Sequence, residues 1–152
     1  MNELLKEILQ KAENKGACYK ASEVKDWKSL VDLFFSPQGR EFCIDNDYPS
    51  LDLFDRMKAY VAPYGVYINN HRDASVSTDD GAIFSHNKAR IGLIGATKGK
   101  LLYDNTECVH KIILMHGATA DIIIKGYAVV RLITDGTCHV NIEKDKTAVV
   151  LR

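Results

Sequence analysis

The sequence has no excess of charge of either sign. Its 152 residues contain 20 lysines and arginines against 20 aspartates and glutamates, so the formal net charge is zero. Domains that bind nucleic acids or anionic membranes usually carry a surplus of basic residues, because these attract phosphate groups. We therefore expect no nucleic acid and no membrane surface as partner.

Long apolar runs are missing as well. No stretch approaches the roughly 18 apolar residues that a membrane-spanning helix needs, and the charged start of the chain lacks the apolar core of a signal peptide. The four cysteines form no CxxC pair; they are Cys18, Cys43, Cys108 and Cys138. Without an export signal, reduced thiols are the default, so we expect buried free thiols and a cytoplasmic location.

The motifs of common active sites are also absent. Gly92-Leu93-Ile94-Gly95 is not followed by the Gly-Lys-Ser/Thr of a phosphate-binding loop, and no serine occupies a Gly-x-Ser-x-Gly elbow. Cys138 and His139 are adjacent, and adjacent residues of a strand point to opposite faces, so they cannot readily hold one metal ion. We therefore predict no metal site and no cofactor, and the sequence leans away from an enzyme.

Helical periodicity is what the first part of the sequence does contain. Apolar residues recur at helical spacing in four segments, each of which begins behind a residue that can cap a helix. These caps are Asn2, Asp26, Ser36 and Ser50. Pro37 fits the first helical position behind Ser36, where its missing N–H leaves no hydrogen bond unmade. The pattern predicts a helical region over residues 1–62.

From about residue 64 onward, short β-type runs replace the helical spacing, and the last third repeats every ten residues. Three apolar columns recur two residues apart, so they share one face of each strand. The columns are Ala118, Ala128, Cys138 and Ala148; Ala120, Val130, Val140 and Val150; and Ile122, Leu132 and Ile142. Because ten is even, the inward-facing parity is kept from one unit to the next.

Two architectures satisfy this repeat. In a β-solenoid with two units per coil, Ala120 stacks on Val140 and Val130 stacks on Val150, so like lies on like. In an antiparallel sandwich or roll, equivalent positions do not pair, although Asp-Gly turns are common there. The persistence of residue type favours the solenoid, with the antiparallel fold as the alternative. We therefore predict an α+β protein in which a helical cap, residues 1–62, covers a β-repeat region, residues 63–152, as one folding unit.

The repeat region resembles short β-helices and bactofilin-type solenoids in architecture. It shares no signature residues with them, so the likeness implies no function. A solenoid of few coils leaves strand edges at its ends, and such edges tend to recruit other chains. The helices are expected to cover one end. The other end finishes at residues 149–152 without a cap in the sequence, which predicts association there with another protein or with a second copy.

The most polar segment joins the helical part to the repeats. Its candidate binding residues are His71, Arg72, Asp73, Asp79 and Asp80. Read functionally, the aspartates offer oxygen ligands to a hard cation, and His71 with Asp73 offers acid–base groups. The spacing matches no calcium-binding loop, and a solvated connecting loop is the alternative interpretation.

Three functional hypotheses follow from these patterns. The leading one is a non-enzymatic protein-interaction or structural module built on a small capped β-solenoid. The second is a carbohydrate-active or other hydrolytic enzyme that uses aspartates of the 71–81 loop, whose carboxylates would then have to converge. The third is a β-sandwich that binds a small ligand in an apolar cavity between its sheets.

Overall fold

The computed structural model of the chain describes residues 2–17, 19–70 and 82–152. The chain divides into two compact units, Met1–Val66 and Tyr67–Arg152. The first unit contains four α-helices: α1 (Glu3–Asn14), α2 (Trp27–Phe35), α3 (Pro37–Asn46) and α4 (Leu51–Val61). Short 3-10 helices follow α1 at Tyr19–Glu23 and α4 at Ala62–Tyr64. Within the described residues, no helix is both long enough and apolar enough to cross a membrane.

The four predicted helix caps are confirmed. The side chains of Asn2, Asp26, Ser36 and Ser50 each accept a hydrogen bond from a backbone amide of the first helical turn. At α2 the arrangement is reciprocal, because the Ser29 hydroxyl also contacts the backbone amide of Asp26 at 3.1 Å. Such caps satisfy amides that have no partner inside the helix, which explains why the helices begin where the sequence predicts.

The helical unit is held together by an apolar interior and a few polar contacts. The rings of Phe34 and Phe54 pack edge to face at a centroid distance of 6.1 Å, whereas Trp27 and Tyr60 stack in parallel at 4.8 Å. The buried Tyr48 donates its hydroxyl to the carbonyl oxygen of Ile8 at 2.6 Å, which ties the segment before α4 to α1. Phe34, Phe35 and Phe54 are buried core residues, whereas Trp27 and Phe42 are partly exposed.

The rest of the described chain is a parallel β-solenoid of about three turns. Its strands are β1 (Val66–Ile68), β2 (Ile83–His86), β3 (Arg90–Ile94), β4 (Lys98–Tyr103), β5 (Val109–Met115), β6 (Thr119–Ile124), β7 (Val129–Thr134), β8 (His139–Lys144) and β9 (Val149–Leu151). The odd-numbered strands form one sheet in the order β1-β3-β5-β7-β9, and the even-numbered strands form the other. The pairs from β2–β4 to β7–β9 are all parallel, which confirms the solenoid and rules out the antiparallel sandwich or roll.

The predicted stacking of coils is confirmed residue by residue. Ala120 pairs with Val140 and Ile122 with Ile142 in one sheet, and Val130 pairs with Val150 in the other. These positions are one coil apart, and the coil step in this part is 20 residues, as in the hydrogen bond from Asn141 to Asp121. The coil step differs in the earlier coils, where Ile83 pairs with Gly99 and not with a residue 20 positions away. The sequence therefore shows no ten-residue repeat there.

The interior between the two sheets is filled by alternate side chains of both. Ile91, Ile112 and Val130 from one sheet meet Leu101 and Ile122 from the other in a single buried cluster. The inward residues of the middle coils contact the coils on either side, and the burial of this apolar surface stabilises the solenoid.

Candidate functional site

The five residues that the sequence singles out for binding belong to the polar segment between the helical part and the repeats. His71, Arg72, Asp73, Asp79 and Asp80 lie outside the described residues, as does the whole 71–81 loop. The hypotheses of cation binding and of hydrolysis by these aspartates therefore remain predictions from sequence.

Of the histidine and cysteine near the start of β5, His110 packs in the interior and Cys108 is exposed. His110 is fully buried, and its Nδ1 lies 2.8 Å from the carbonyl oxygen of Lys88, to which it donates. The imidazole also lies against the ring of Tyr103, at a centroid distance of 4.8 Å. The other ring nitrogen, Nε2, lies 3.0 Å from the side-chain oxygen of Asn105, so both ring nitrogens have hydrogen-bonding partners, and these contacts favour His110 as a packing residue of the interior.

The described cysteines are free thiols in three different environments. Cys43 is buried, and desolvation raises the pKa of its thiol to about 12, so it stays protonated. Cys138 is partly exposed at the last coil, whereas Cys108 is exposed because it precedes β5 and lies outside the inward alternation of the strand. The expectation of burial thus holds for Cys43 and is wrong for Cys108; Cys18 lies outside the described residues.

The helical unit contains an apolar cavity of about 90 Å³. Phe34, Phe42, Cys43 and Met57 are among its lining residues, and no charged side chain of the described residues reaches it. Its thiol is neutral, so the cavity offers neither a nucleophile nor an acid–base pair. It lies among helices, whereas the hypothesis of a ligand-binding sandwich requires a cavity between sheets.

The last coil presents apolar interior to solvent. In the coil before it, Ala118, Ala120, Ile122 and Val130 are at most 1% exposed. The residues stacked on them are only partly buried: Cys138, Val140, Ile142 and Val150. Each sheet order ends here, with β8 in one sheet and β9 in the other, so these side chains have a neighbouring coil on one side only. We call this surface, formed by β8 and β9, the open end.

The backbone at the open end also has unpaired groups. The amides of His139 and Asp145 donate to the preceding coil, at the carbonyls of Ala118 and Ile124. In a parallel ladder, alternate residues direct their N–H and C=O groups to the same neighbour, so the intervening residues Val140 and Ile142 direct theirs away from it. The open end therefore combines apolar side chains with a free hydrogen-bonding edge, which is the surface that strand addition requires.

The turns next to the open end are held firmly to the coil behind them. The Asp145 carboxylate accepts hydrogen bonds from the Thr147 hydroxyl at 2.6 Å and from the Gly126 amide of the preceding turn at 3.2 Å. The Thr147 hydroxyl in turn accepts from the Tyr127 amide at 2.8 Å. The hydrogen bonds that the Asp145 carboxylate accepts, first that of the Thr147 hydroxyl and then that of the Gly126 amide, lower the pKa of Asp145. The edge of β8 is thus presented from an ordered coil.

The sequence predicted association at residues 149–152, but it placed Val140 and Ile142 in the core columns and did not identify β8 as part of a site. Nothing in the residue type separates Val140 from Val130, because both occupy the same column. Only the strand order shows that one is enclosed between coils and the other is not.

Comparison of the chain with known protein families, with curated proteins and with solved structures finds no match.

Proposed function

We propose that the chain is a non-enzymatic protein-interaction module that binds a partner by strand addition at the open end of its solenoid. The observation that supports this proposal is the partial exposure of Val140, Ile142 and Val150, whose counterparts one coil earlier are buried. A strand added at β8 buries Val140 and Ile142 and satisfies the free backbone groups of the β8 edge at the same time.

The middle of β8 lacks the devices that usually protect a sheet edge, and the inward-facing charge of this strand, Lys144, lies at its end, where it stacks on Ile124. Neither β8 nor β9 contains a proline or a bulge, and the middle of β8 directs Val140 and Ile142, not a charged side chain, toward the interior. Natural edge strands that stay unpaired are blocked by proline, by a bulge or by an inward-pointing charge. The edge is therefore suited to accept a strand.

The proposal is tested by placing charge on the interior side of the edge. In the variant Val140→Lys/Ile142→Lys, two ammonium groups would have to be buried by any added strand, so association should be lost. The matched control Thr119→Lys/Ile123→Lys adds the same charge on the outer face of β6, one coil away from the edge. Tagged chains are compared by gel filtration of the native cell extract, and circular dichroism verifies the fold.

We expect the wild-type chain and the β6 control to elute well above the 17.0 kDa of one chain, and the edge variant to elute as a monomer. A second variant, Val140→Pro, removes an edge donor without removing a hydrogen bond inside the solenoid, and it should behave like the lysine variant. A wild-type chain that elutes as a monomer, or edge variants that elute like the wild type, would contradict the proposal.

A further inference from the structure

We infer that the partner at the open end is a second copy of this chain, with its β8 added antiparallel and with Asn141 opposite Asn141. This inference rests on the proposed function and specifies its partner. It follows from the parity of the strand, from its free hydrogen-bonding groups and from the order of its side chains.

Parity restricts the possible registers. Residues directly opposite each other in an antiparallel pair lie on the same face of the sheet. In β8 the inward residues are Val140 and Ile142, and the outward residues are His139, Asn141 and Glu143. Two copies of β8 must therefore pair inward with inward and outward with outward. The register centred on Asn141 obeys this rule and matches Val140 of each copy with Ile142 of the other.

The free backbone groups fit the same register. Val140 and Ile142 direct their N–H and C=O groups to the edge, because their neighbours bond to the preceding coil. When these two residues face each other across the edge, each pair exchanges two backbone hydrogen bonds. The register centred on Asn141 forms this pair twice by symmetry. The outward residues then occupy positions without direct backbone bonds, where opposite side chains approach most closely.

The outward side chains are complementary in this register. His139 of each copy lies opposite Glu143 of the other, so an imidazole N–H can donate to a carboxylate at two places. Asn141 lies opposite its own copy, and an amide can both donate and accept. All three side chains are exposed in the single chain. The Asn141 amide donates one hydrogen to Asp121 at 3.0 Å, which leaves its oxygen and its second hydrogen for such contacts.

The neighbouring registers lose this complementarity. A shift by two residues in one direction places Val140 opposite Lys144 and Asn141 opposite Glu143. The shift in the other direction leaves Glu143 opposite Thr137 and His139 opposite Asn141. The register centred on Asn141 joins Val140 with Ile142 and the Glu143 carboxylate with His139, and places Cys138 opposite Lys144 at the strand ends. In the register with Thr137 opposite Glu143, the Thr137 hydroxyl already donates to Asp135 at 2.6 Å, so Glu143 gains no donor there.

The symmetry of this pairing fixes the size of the assembly. A two-fold axis through Asn141 uses the same surface on both copies, and such an interface closes on itself. We therefore expect the purified chain to form a dimer of about 34 kDa, twice the 17.0 kDa of one chain, and no larger species.

A charge exchange tests the register. In the variant Glu143→Lys, a lysine of one copy faces His139 of the other. In the variant His139→Glu, two carboxylates face each other. Each change should raise the dissociation constant of the dimer by about tenfold. The double variant His139→Glu/Glu143→Lys restores an acid opposite a base, so its dissociation constant should return close to that of the wild type. Glu41→Lys, an exposed residue of the helical unit, is the matched charge control and should have no effect. Sedimentation of the purified full chain measures each constant.

Disulfide cross-linking tests directly whether Asn141 of one copy lies opposite Asn141 of the other. In a Cys108→Ser/Cys138→Ser background, Asn141→Cys places two thiols opposite each other at a pair without backbone bonds, where the Cα separation of about 4.5 Å suits a disulfide. Copper–phenanthroline oxidation should yield a covalent dimer, whereas Asp121→Cys, one coil back, should yield none.

The outcomes separate the inference from the proposal that it specifies. In one outcome the purified chain is a monomer, but the chain in extract elutes as a complex that the edge variant abolishes. This result overturns the second copy as partner and leaves the proposal of an interaction module intact. A purified dimer that shows neither rescue by the double variant nor cross-linking at position 141 overturns the register. Failure of the edge variants to change any association overturns both.

Discussion

At the scale of single residues, the aspartates of the last two turns are the most informative. Asp135 accepts hydrogen bonds from the Thr137 hydroxyl at 2.6 Å and from the His116 amide of the preceding turn at 2.9 Å. Asp145 and Thr147 repeat this arrangement one half-coil later. The carboxylate therefore closes its own turn and also holds the turn behind it. The ten-residue repeat did not reveal these bonds between coils.

These hydrogen bonds predict a dependence of stability on pH. Partial burial opposes ionisation of Asp135, but the bonds from Thr137 and His116 outweigh it, and the pKa is lowered; the pKa of Asp145 is lowered mainly by Thr147. A carboxyl group whose folded pKa lies below its unfolded value stabilises the fold above the unfolded pKa, near 4. This contribution is lost as the pH falls through the folded pKa.

We therefore expect Asp135→Asn/Asp145→Asn to lower the urea midpoint at pH 7 and to make the midpoint less sensitive to acid below about pH 4. Urea unfolding followed by circular dichroism at a series of pH values measures both effects. Wild-type and variant curves that run parallel from neutral to acidic pH would show that the two carboxylates contribute nothing through ionisation.

At the scale of elements, alternation along a strand decides which residues matter for stability. Ile122 and Ile123 are neighbours in β6, yet Ile122 is 1% exposed and Ile123 is 44% exposed. The sequence predicted this difference, because Ile122 belongs to an apolar column and Ile123 does not. Strand β5 is less regular, since Ile113 and Met115 are also buried although they point away from the interior. An unbroken apolar run does not reveal how many of its faces are covered.

The two isoleucines provide a matched pair for mutation. Ile122→Ala should lower the free energy of unfolding by about 2–5 kcal/mol, because it leaves a cavity between two sheets. Ile123→Ala should lower it by less than about 1 kcal/mol, because the side chain already contacts water. Urea denaturation measures both values. Equal losses would mean that the inward and outward faces of β6 are assigned incorrectly.

At the scale of the whole molecule, the sequence predicted a large part of the architecture. The caps at Asn2, Asp26, Ser36 and Ser50, the change to strands after residue 63 and the stacking of Val130 on Val150 all follow from local chemistry and periodicity. The candidate site was less accessible. Exposure at the open end depends on strand order, which is a property of the assembled fold, and the polar loop favoured by composition is not described.

The regular coil step predicts the effect of duplicating one coil. A second copy of residues 128–147 inserted after Thr147 preserves both parity and sheet assignment, because the step is 20 residues. The new coil should cover Val140 and Ile142, and hydrogen exchange should show protection of their amides. A 19-residue insertion that omits residue 128 inverts the parity of the strand that follows. It should give a less stable protein than the 20-residue insertion, and equal stability would contradict a strict coil step.

The cross-turn bonds of Thr137 and Thr147 have a further consequence. In each of these two turns the threonine hydroxyl accepts a hydrogen bond at 2.8 Å from an amide of the turn one coil earlier. The last coil is therefore held by a neighbouring coil on one side only. Unfolding of the solenoid should start at the last coil and proceed backward coil by coil. A molecule that binds the open end should therefore also stabilise the solenoid against unfolding.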